Sequence, residues 1–314
     1  MLYRLRKHLK TRRFESITRG IRATRPLRVI DAPWTIVSMV SNDDAHLYLV
    51  AMKSFYRLIK RGKLVAIIDR DMPEASRDLL AEHFEGIRFE TLEDIDTGVC
   101  QRGGTWERLV YLVDRARDEY AIQVDCDTLT MGPDLKEVAY CVENNLPFTL
   151  ADGWPLVTMS EAAREAREIA GDQPGIVAER SFDRYPNCER LLYVRGSSGF
   201  TGFAKGGFSR ARLAEFHEGM AAIVGRDAWR GWATEQCASN FVTANSPSPV
   251  ILPFPNYSCF FPGGPRDDAK FLHFIGTHRF DDDYFARQGL AVIAALHEFP
   301  QELPEQRWPA QAAG

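Results

Sequence analysis

Two carboxylates two residues apart follow a hydrophobic run near the middle of the chain. The run is Tyr120–Val124, which has the composition of a buried strand, and Asp125 and Asp127 come directly after it. Ligands of open α/β sheets bind at the carboxyl ends of the strands, where two such carboxylates can bring their oxygens to one hard cation. Proteins hold such cations with one or two carboxylates together with substrate phosphates. The pair therefore predicts a site for Mn²⁺ or Mg²⁺, the alternative being a solvated turn of acidic residues.

Other closely spaced aspartates lie in weaker contexts. They are Asp69-Arg-Asp71, Asp94-Ile-Asp96 and Asp281-Asp-Asp283. Of these only Asp69 follows a convincing buried strand, and a solvated turn is the favoured interpretation there. Asp43 and Asp44 follow the first predicted strand, which makes them candidates for holding the nucleoside part of a ligand. Capping of the next helix by Asn42 or Asp43 is an equal alternative.

Strands alternate with helices through the first half of the chain. Short apolar runs predict strands at Thr35–Val40, Leu64–Ile68, Ile87–Phe89, Tyr120–Val124 and Phe148–Leu150. Apolar residues at helical spacing predict helices over 47–59, from Pro73, over 106–117 and over 134–144. Further helices are predicted at 160–170 and 209–224, whereas the stretch Gly196–Gly207 is predicted to be a flexible loop. The pattern favours an α/β fold with a mostly parallel central sheet, helices on both faces and a less regular C-terminal half.

Four motifs in order resemble those of one enzyme family. The segment 120–129 resembles the metal-binding segment of nucleotide-sugar glycosyltransferases with the GT-A fold. It is most similar to glycosyltransferase family eight, the glycogenin and bacterial lipopolysaccharide glycosyltransferase type. Ser197–Phe200 resembles the family's Asn-Ser-Gly stretch, Glu235–Asn240 its Asp-Gln-Asp-x-x-Asn, and His273–Arg279 its His-x-x-Gly-x-x-Lys. The resemblance implies a single GT-A-like domain that moves a sugar from a nucleotide-sugar donor, a UDP-sugar, to a glycan or lipid-linked acceptor.

The resemblance also implies roles for the residues at matching positions. The implied ligands of Mn²⁺ or Mg²⁺ are Asp125, Asp127 and His273. The implied donor contacts are Arg108, Gly276 and Arg279, with Asp43 and Asp44 added from their place after the first strand. The implied contacts to sugar and acceptor are Ser198, Gly199 and Asn240. A core or capping histidine remains an alternative for His273.

The catalytic step is assigned to Glu235 and Gln236, with the stereochemistry left open. An inverting reaction needs a carboxylate base near the acceptor hydroxyl, and Glu235 is the best-placed candidate. A retaining reaction needs stabilisation on the opposite face of the sugar, which either side chain could provide. Glu235 could also simply open a helix. The chain departs from the family pattern at Ser197 and Cys237, which replace an Asn and a carboxylate, and no Pro-Trp follows Arg279.

Two other functions fit parts of the sequence. The segment Asp125–Leu129 also matches the Asp-x-Asp-x-Thr signature of haloacid-dehalogenase-type phosphatases, with Asp125 as the nucleophile and 281–283 as the distal acidic motif. Against this, that nucleophile normally sits on the first strand of its domain. A non-catalytic GT-A-like binding protein is the second alternative, which Cys237 supports and which the intact Asp125, Asp127 and His273 oppose.

Charge is distributed unevenly along the 314 residues, whose net charge is −4. Residues 1–28 hold ten Lys or Arg against Glu15, and the remainder is strongly acidic. We therefore expect a basic amphipathic leader at 1–28, a GT-A-like domain at 29–300, and a tail at 301–314. The leader is expected to lie on an anionic membrane surface, and a solvated, partly disordered leader is an equal alternative. Within the domain, 29–151 is the expected nucleotide-binding half and 152–300 the acceptor half.

Composition also limits which binding partners and which cellular compartment fit this protein. The acidic body argues against a nucleic acid partner. The six scattered cysteines show no metal-type spacing and fit reduced thiols in the cytoplasm. No run reaches the roughly 18 apolar residues that a membrane span needs. We expect a cytoplasmic protein, with peripheral contact at the inner face of a membrane through residues 1–28.

Overall fold

The computed structural model describes residues 2–266 and 268–298, so the expected tail at 301–314 lies outside the described residues. The strands are β1 (Leu27–Arg28), β2 (Trp34–Val40), β3 (Lys63–Ile68), β4 (Phe84–Glu85), β5 (Arg88–Thr91), β6 (Tyr120–Val124), β7 (Thr128–Thr130), β8 (Phe148–Leu150), β9 (Leu156–Thr158), β10 (Leu192–Val194), β11 (Ser197–Phe203), β12 (Val250–Ile251), β13 (Tyr257–Cys259) and β14 (Phe271–His273). The α-helices are α1 (Leu2–Ile17), α2 (Ala45–Ile59), α3 (Glu74–His83), α4 (Trp106–Arg115), α5 (Lys136–Glu143), α6 (Met159–Arg167), α7 (Pro174–Glu179), α8 (Arg210–Val224), α9 (Arg226–Trp229), α10 (Thr234–Ala244) and α11 (Tyr284–Glu298).

The central sheet confirms the predicted α/β class. Its strand order is β12-β8-β11-β6-β2-β3-β5, and its pairs are parallel except those that β11 makes with β6 and β8. Successive residues of β2 belong to opposite cores: Ile36 packs in the cluster that contains Phe55 of α2, and Val37 in the cluster that contains Leu109 of α4. Helices therefore cover both faces, which is why the strands are apolar at nearly every position.

The predicted flexible loop at Gly196–Gly207 is wrong, because most of it is the buried strand β11. Ser197–Phe203 is fully buried and pairs antiparallel with β6 on one side and β8 on the other. A Cβ atom on Gly202 would lie closer than 3.0 Å to the Tyr120 hydroxyl and to the Phe148 ring. The glycines that suggested flexibility thus permit close approach of neighbouring strands.

A second, three-stranded sheet places the C-terminal part of the chain beside the end of β6. Its order is β13-β14-β7, with β14 antiparallel to β7 and parallel to β13. In this register His273, the last residue of β14, lies opposite Thr128, the first residue of β7. Because β7 begins immediately after Asp127, the pairing brings His273 to the carboxylate pair.

The basic N-terminal segment is helical and packs on the domain. Phe14 is buried, with its ring centroid 4.4 Å from that of Phe285 in α11. Thr18 Oγ1 lies 2.8 Å from Nε2 of the buried His46 in α2. Ile21, in a 3₁₀ turn that follows α1, is also fully buried. Phe14 and Ile21 of this basic segment therefore contribute to the core of the domain. The domain boundaries predicted at residues 28 and 151 stay predictions.

None of the helices in the described part of the chain combines the length and the apolar composition that a membrane span requires.

Acidification should weaken the packing of this segment through His46. Burial, helped by the charge of Arg22, lowers the pKa of His46 from 6.5 to about 4. On acidification the unfolded chain binds this proton first, so stability should fall as the pH drops from 6.5 to about 4. Urea denaturation at pH 7 and 5 should show a loss larger by about 2 kcal/mol in the wild type than in His46→Gln, which keeps a polar partner for Thr18 but does not titrate. Equal losses in the two proteins would contradict this role of His46.

Candidate active site

Main-chain hydrogen bonds fix the carboxylate pair at the end of β6. The Asp125 N–H donates to the Gly199 carbonyl at 2.9 Å, and the Phe274 N–H donates to the Asp127 carbonyl at 2.7 Å. Cys126, between the two aspartates, is buried, and its Sγ donates to the Met39 carbonyl at 3.3 Å. Three segments distant in sequence therefore converge on this turn.

His273 completes a cluster of three candidate ligands. Its Nε2 lies 3.1 Å from Asp127 Oδ1 and 3.9 Å from Asp125 Oδ2, while its Nδ1 lies 2.7 Å from Ser197 Oγ. A proton on Nδ1, donated to Ser197, leaves the Nε2 lone pair facing the carboxylates, as in metal-binding histidines. Although burial lowers the pKa of His273, the neighbouring carboxylate of Asp127 brings it above its ordinary value in the metal-free protein.

Two arginines compensate the negative charge of the pair. Arg108 Nη1 lies 2.5 Å from Asp125 Oδ1, and its Nη2 lies 3.5 Å from Glu235 Oε2. Arg279 donates a hydrogen bond to Asp127 Oδ2. Burial raises the pKa of Asp125 above its usual value. Burial would do the same for Asp127, but the charges of His273 and Arg279 hold its pKa well below its usual range, so it is ionised at neutral pH.

The donor set fits a divalent cation. One ligand atom from each of Asp125, Asp127 and His273 can be chosen so that all lie within 4.8 Å of one another. Two carboxylate oxygens and one imidazole nitrogen suit Mn²⁺ and Mg²⁺, which keep further positions for water and phosphate oxygens. The predicted ligands are therefore brought together.

Glu235 lies in the first turn of α10 and is almost completely buried. Its Oε2 accepts hydrogen bonds from Thr105 Oγ1 at 2.9 Å and from Ser198 Oγ at 3.1 Å. Among the described residues its Oε1 has no hydrogen-bond partner. Burial raises the pKa of Glu235, which Arg108 opposes. One oxygen is thus held by the protein, while the other is a buried acceptor without a partner among the described residues.

These groups line one cavity of about 340 Å³. The predicted site residues on its wall are Arg108, Asp125, Asp127, Ser198, Glu235, Gln236, His273, Gly276 and Arg279. Sequence reasoning missed Thr105, Trp232 and Ile275, which line the same cavity. Thr105 acts through Glu235 and Trp232 is an isolated aromatic residue in a loop, so the sequence marks neither. Ile275 lies inside the motif His273–Arg279, which could have pointed to it.

Two predicted site residues lie behind the cavity rather than on its wall. Gly199 packs so closely against the His273 imidazole that an added Cβ would lie closer than 3.0 Å to three ring atoms. Asn240 is buried, and its Nδ2 donates to the Gly196 carbonyl at 3.0 Å and to the Tyr193 hydroxyl at 3.3 Å. Both therefore position β11, and their predicted contacts to sugar and acceptor stay predictions.

Asp43 and Asp44 lie at a second cavity, of about 630 Å³, beside the first. Arg279 lines both cavities, so the two meet at its side chain. Ser41 Oγ donates to Asp44 Oδ2 at 2.6 Å. The end of β2 and the end of β6 therefore open toward the same region, as expected for neighbouring parallel strands.

The same geometry weighs against both alternative functions. Asp281 and Asp283, the distal motif of the phosphatase interpretation, form ion pairs with Lys10 and Arg13 of α1 and do not line the cavity of Asp125. Cys237 is buried, and its Sγ contacts the Gly175 carbonyl at 3.6 Å. Its replacement of a carboxylate therefore changes the core rather than the cavity wall.

Comparison with solved structures identifies the architecture. An active-site mutant of LgtC superposes with a TM-score of 0.51 at 13% sequence identity, over 88% of this chain and 98% of that one. The galactosyltransferase LgtC, in complex with donor and acceptor sugar analogues, gives a TM-score of 0.50 at 11% identity over the same shares. The chain has the GT-A fold.

The remaining comparisons add nothing to the assignment of the fold. The apo structure of the bifunctional glycosyltransferase WbbM matches with a TM-score of 0.49 at 16% identity, over 83% of this chain, which spans only 49% of that protein. No protein-family model matches the chain, and no curated protein matches it by sequence. The predicted single GT-A-like α/β fold is confirmed by the superposition on LgtC.

Replacing Gly199 with alanine should displace His273. The added methyl group would overlap the imidazole, and overpacking of this kind costs about 1–3 kcal/mol. We expect Gly199→Ala to lower the midpoint of urea denaturation and to lose the stabilisation by Mn²⁺ measured in a thermal melt. Gly20→Ala is the matched control, because its Cβ would meet Ile293 Cγ2 at an ordinary 3.5 Å. Wild-type stabilisation by Mn²⁺ in Gly199→Ala would show that His273 is not a ligand.

Proposed function

We propose that the protein is a divalent-metal-dependent glycosyltransferase that moves a sugar from a UDP-sugar donor to a glycan acceptor. The observation that carries this proposal is the cluster of Asp125, Asp127 and His273, flanked by Arg108 and Arg279, at one cavity of a GT-A fold. Its cofactor is Mn²⁺ or Mg²⁺.

Charge explains why glycosyl transfer needs this arrangement. Breaking the bond between the sugar C1 and the diphosphate oxygen leaves negative charge on the nucleoside diphosphate. The metal, when bound, neutralises part of that charge and orients the diphosphate. Arg279 lies on the wall beside Asp127, and its guanidinium carries N–H groups beyond the one that Asp127 accepts, so it can also donate to a phosphate oxygen.

Glu235 is the candidate for the residue that acts on the acceptor hydroxyl or on the transferred sugar. Thr105, Ser198 and Arg108 hold its Oε2, and its buried Oε1 has no hydrogen-bond partner among the described residues. In an inverting reaction the Glu235 carboxylate takes the proton of the acceptor hydroxyl as the acceptor oxygen bonds to C1 and the diphosphate leaves. In a retaining reaction Glu235 or Gln236 stabilises the opposite face of the sugar. Glu235 is a candidate in both reactions, and Gln236 only in the retaining one.

The acceptor side is proposed to bind a glycan. Trp232 is 70% exposed and Ile275 is 41% exposed, and both line the otherwise polar cavity. An aromatic face beside polar groups matches a sugar ring, which has an apolar face and hydroxyl edges. A lipid-linked glycan and contact of residues 1–28 with an anionic membrane remain part of the proposal. Since Phe14 and Ile21 are buried, such contact would depend on charge rather than on inserting these side chains.

Binding of UDP should require the metal site. We expect Mn²⁺ to be necessary for tight binding of UDP in calorimetric titrations, and Asp127→Asn to weaken that binding by about tenfold or more, because one ligand charge is lost. Asp69→Asn is the control, since Asp69 belongs to the other Asp-x-Asp pair that follows a central strand and does not line the cavity. Equal affinity for UDP in Mn²⁺ and in EDTA would contradict the proposal, as would equal affinity in the two variants.

Trp232 should matter for transfer to a sugar but not for transfer to water. With UDP-glucose or UDP-galactose as donor, we expect Trp232→Ala to lower the ratio of glycosyl transfer to donor hydrolysis by about tenfold, a stacking contribution of ordinary size. Tyr140→Ala, at an exposed aromatic residue outside the cavity lining, should leave the ratio unchanged. The ratio can be measured by chromatography with a panel of mono- and disaccharide acceptors. An unchanged ratio in Trp232→Ala would remove Trp232 from the acceptor site.

A further inference from the structure

The larger of the two cavities at the site has a wall that the rest of the fold does not supply. On one side it is lined by Ser41, Asn42, Asp43 and Asp44, the turn that follows β2. On the other side it is lined by His8, Thr11, Arg12 and Glu15, all from α1. The volume, about 630 Å³, lies within the range of small-molecule and cofactor sites. The basic N-terminal helix therefore faces a cleft at the carboxyl end of a central strand.

This cleft adjoins the candidate metal site. Arg279 lines both cavities and donates to Asp127 Oδ2. A diphosphate held beside Asp125 and Asp127 thus lies next to Arg279, and the remainder of an elongated nucleotide can extend past that residue into the larger cavity. The carboxyl ends of β6 and β2, which are adjacent and parallel, both face this path.

Helical spacing places two groups of residues on different faces of α1. Positions 8, 11, 12 and 15 lie on one face, at intervals of three and four residues, and this is the face that lines the cleft. Lys10 and Arg13 lie on another face, where they form ion pairs with Asp281 and Asp283. Phe14 anchors the helix in the core against Phe285. These contacts fix the orientation of α1 about its own axis. One face of the helix packs on the domain, and the other lines the cleft.

Arg12 is the basic residue of that face whose charge is available. It is exposed, and no ion pair joins it to another residue in the described part of the chain. Lys10 and Arg13, two positions before and one after, are both paired. A guanidinium without an acidic partner at the rim of a cleft is suited to donate paired hydrogen bonds to a phosphate or ribose oxygen.

We propose that α1 is the second wall of the donor-nucleotide cleft and that Arg12 binds the nucleotide part of the donor. The inference rests on the proposed function, because it takes the ligand to be a nucleoside diphosphate held by the metal site. Asp43 and Asp44 face the nucleoside from the opposite wall, and Arg279 lies between this cleft and the metal ligands. The basic N-terminal helix is then part of the donor site.

Nucleotide titrations of the full-length protein test this assignment. We expect Arg12→Ala to raise the Kd for UDP in the presence of Mn²⁺ by about tenfold, as for the loss of a charge-assisted hydrogen bond. Arg13→Ala removes the same charge from the next position of the same helix but from an exposed ion pair, so its effect should stay below about twofold. Arg12→Lys should recover only part of the affinity, because an ammonium cannot donate in paired geometry. GDP is titrated in parallel, and the same order of effects is expected if the contact is to phosphate or ribose.

The outcomes separate this inference from the proposed function. Tight, Mn²⁺-dependent binding of UDP that is equal in wild type, Arg12→Ala and Arg13→Ala overturns the role of α1 and leaves the glycosyltransferase proposal standing. Equal losses in both alanine variants also overturn it, because they would reflect the total charge of the helix. Binding of neither nucleotide to the wild type overturns both proposals.

Thiol labelling at UDP concentrations well above the Kd of each variant gives a second measurement, which reports the position of the nucleotide. The native cysteines are buried or half-buried, so an Arg12→Cys variant presents an exposed thiol to N-ethylmaleimide. UDP with Mn²⁺ should slow its labelling, and should leave the labelling of an Arg13→Cys variant unchanged. Equal labelling of Arg12→Cys with and without UDP and Mn²⁺ would place the nucleotide elsewhere. Circular dichroism of each variant confirms that α1 remains folded.

Discussion

The proximity of two carboxylates, Asp127 buried and Asp125 half-buried, is the constraint around which the site is organised. Removing a charged group from water costs several kcal/mol unless partners compensate it. Arg108 and Arg279 each bind one carboxylate of the pair, and the imidazole of His273 lies against Asp127. Glu235 adds a third acid that shares Arg108. The charged groups of the cavity therefore come from different elements, and each has an oppositely charged partner on another element.

Close approach of backbone segments is what brings those charges together. β11 runs antiparallel beside β6, and its Gly199 allows the imidazole of His273 to lie against the strand. β14 pairs with β7 directly after Asp127, so that His273 arrives in a register that hydrogen bonds of the main chain fix. The His273 contact with Asp127 thus depends on strand pairing in two sheets, and a shift of one residue in β14 would turn the imidazole away.

The sequence predicts the strongly periodic elements well and the short ones poorly. β2, α2, β3 and β6 lie within one or two residues of their predicted bounds, because each has a mostly apolar run of five or more residues or a full helical stripe. The strand at Ser197–Phe203 was missed because glycine is typical of loops, and only the packing of Tyr120 and Phe148 shows why it is needed there. β7, β13 and β14 have three residues each, too few for any period to be detected. The candidate metal ligands were predicted from motifs and strand position, whereas Thr105, Trp232 and Ile275 reach the cavity wall only through tertiary contact.

The uneven charge of the chain has an explanation inside the molecule. Lys10 and Arg13 bind the acidic turn Asp281–Asp283, so part of the positive charge of the N-terminal segment compensates acids near the other end of the described chain. Phe14 and Ile21 occupy the core, which removes two of the apolar residues that would otherwise make the segment amphipathic toward a membrane. The remaining face of this helix lines the cleft to which Asp43, Asp44 and Arg279 also contribute. A basic segment that appears separable in sequence is therefore bound to the acidic body by its charges and by its apolar residues.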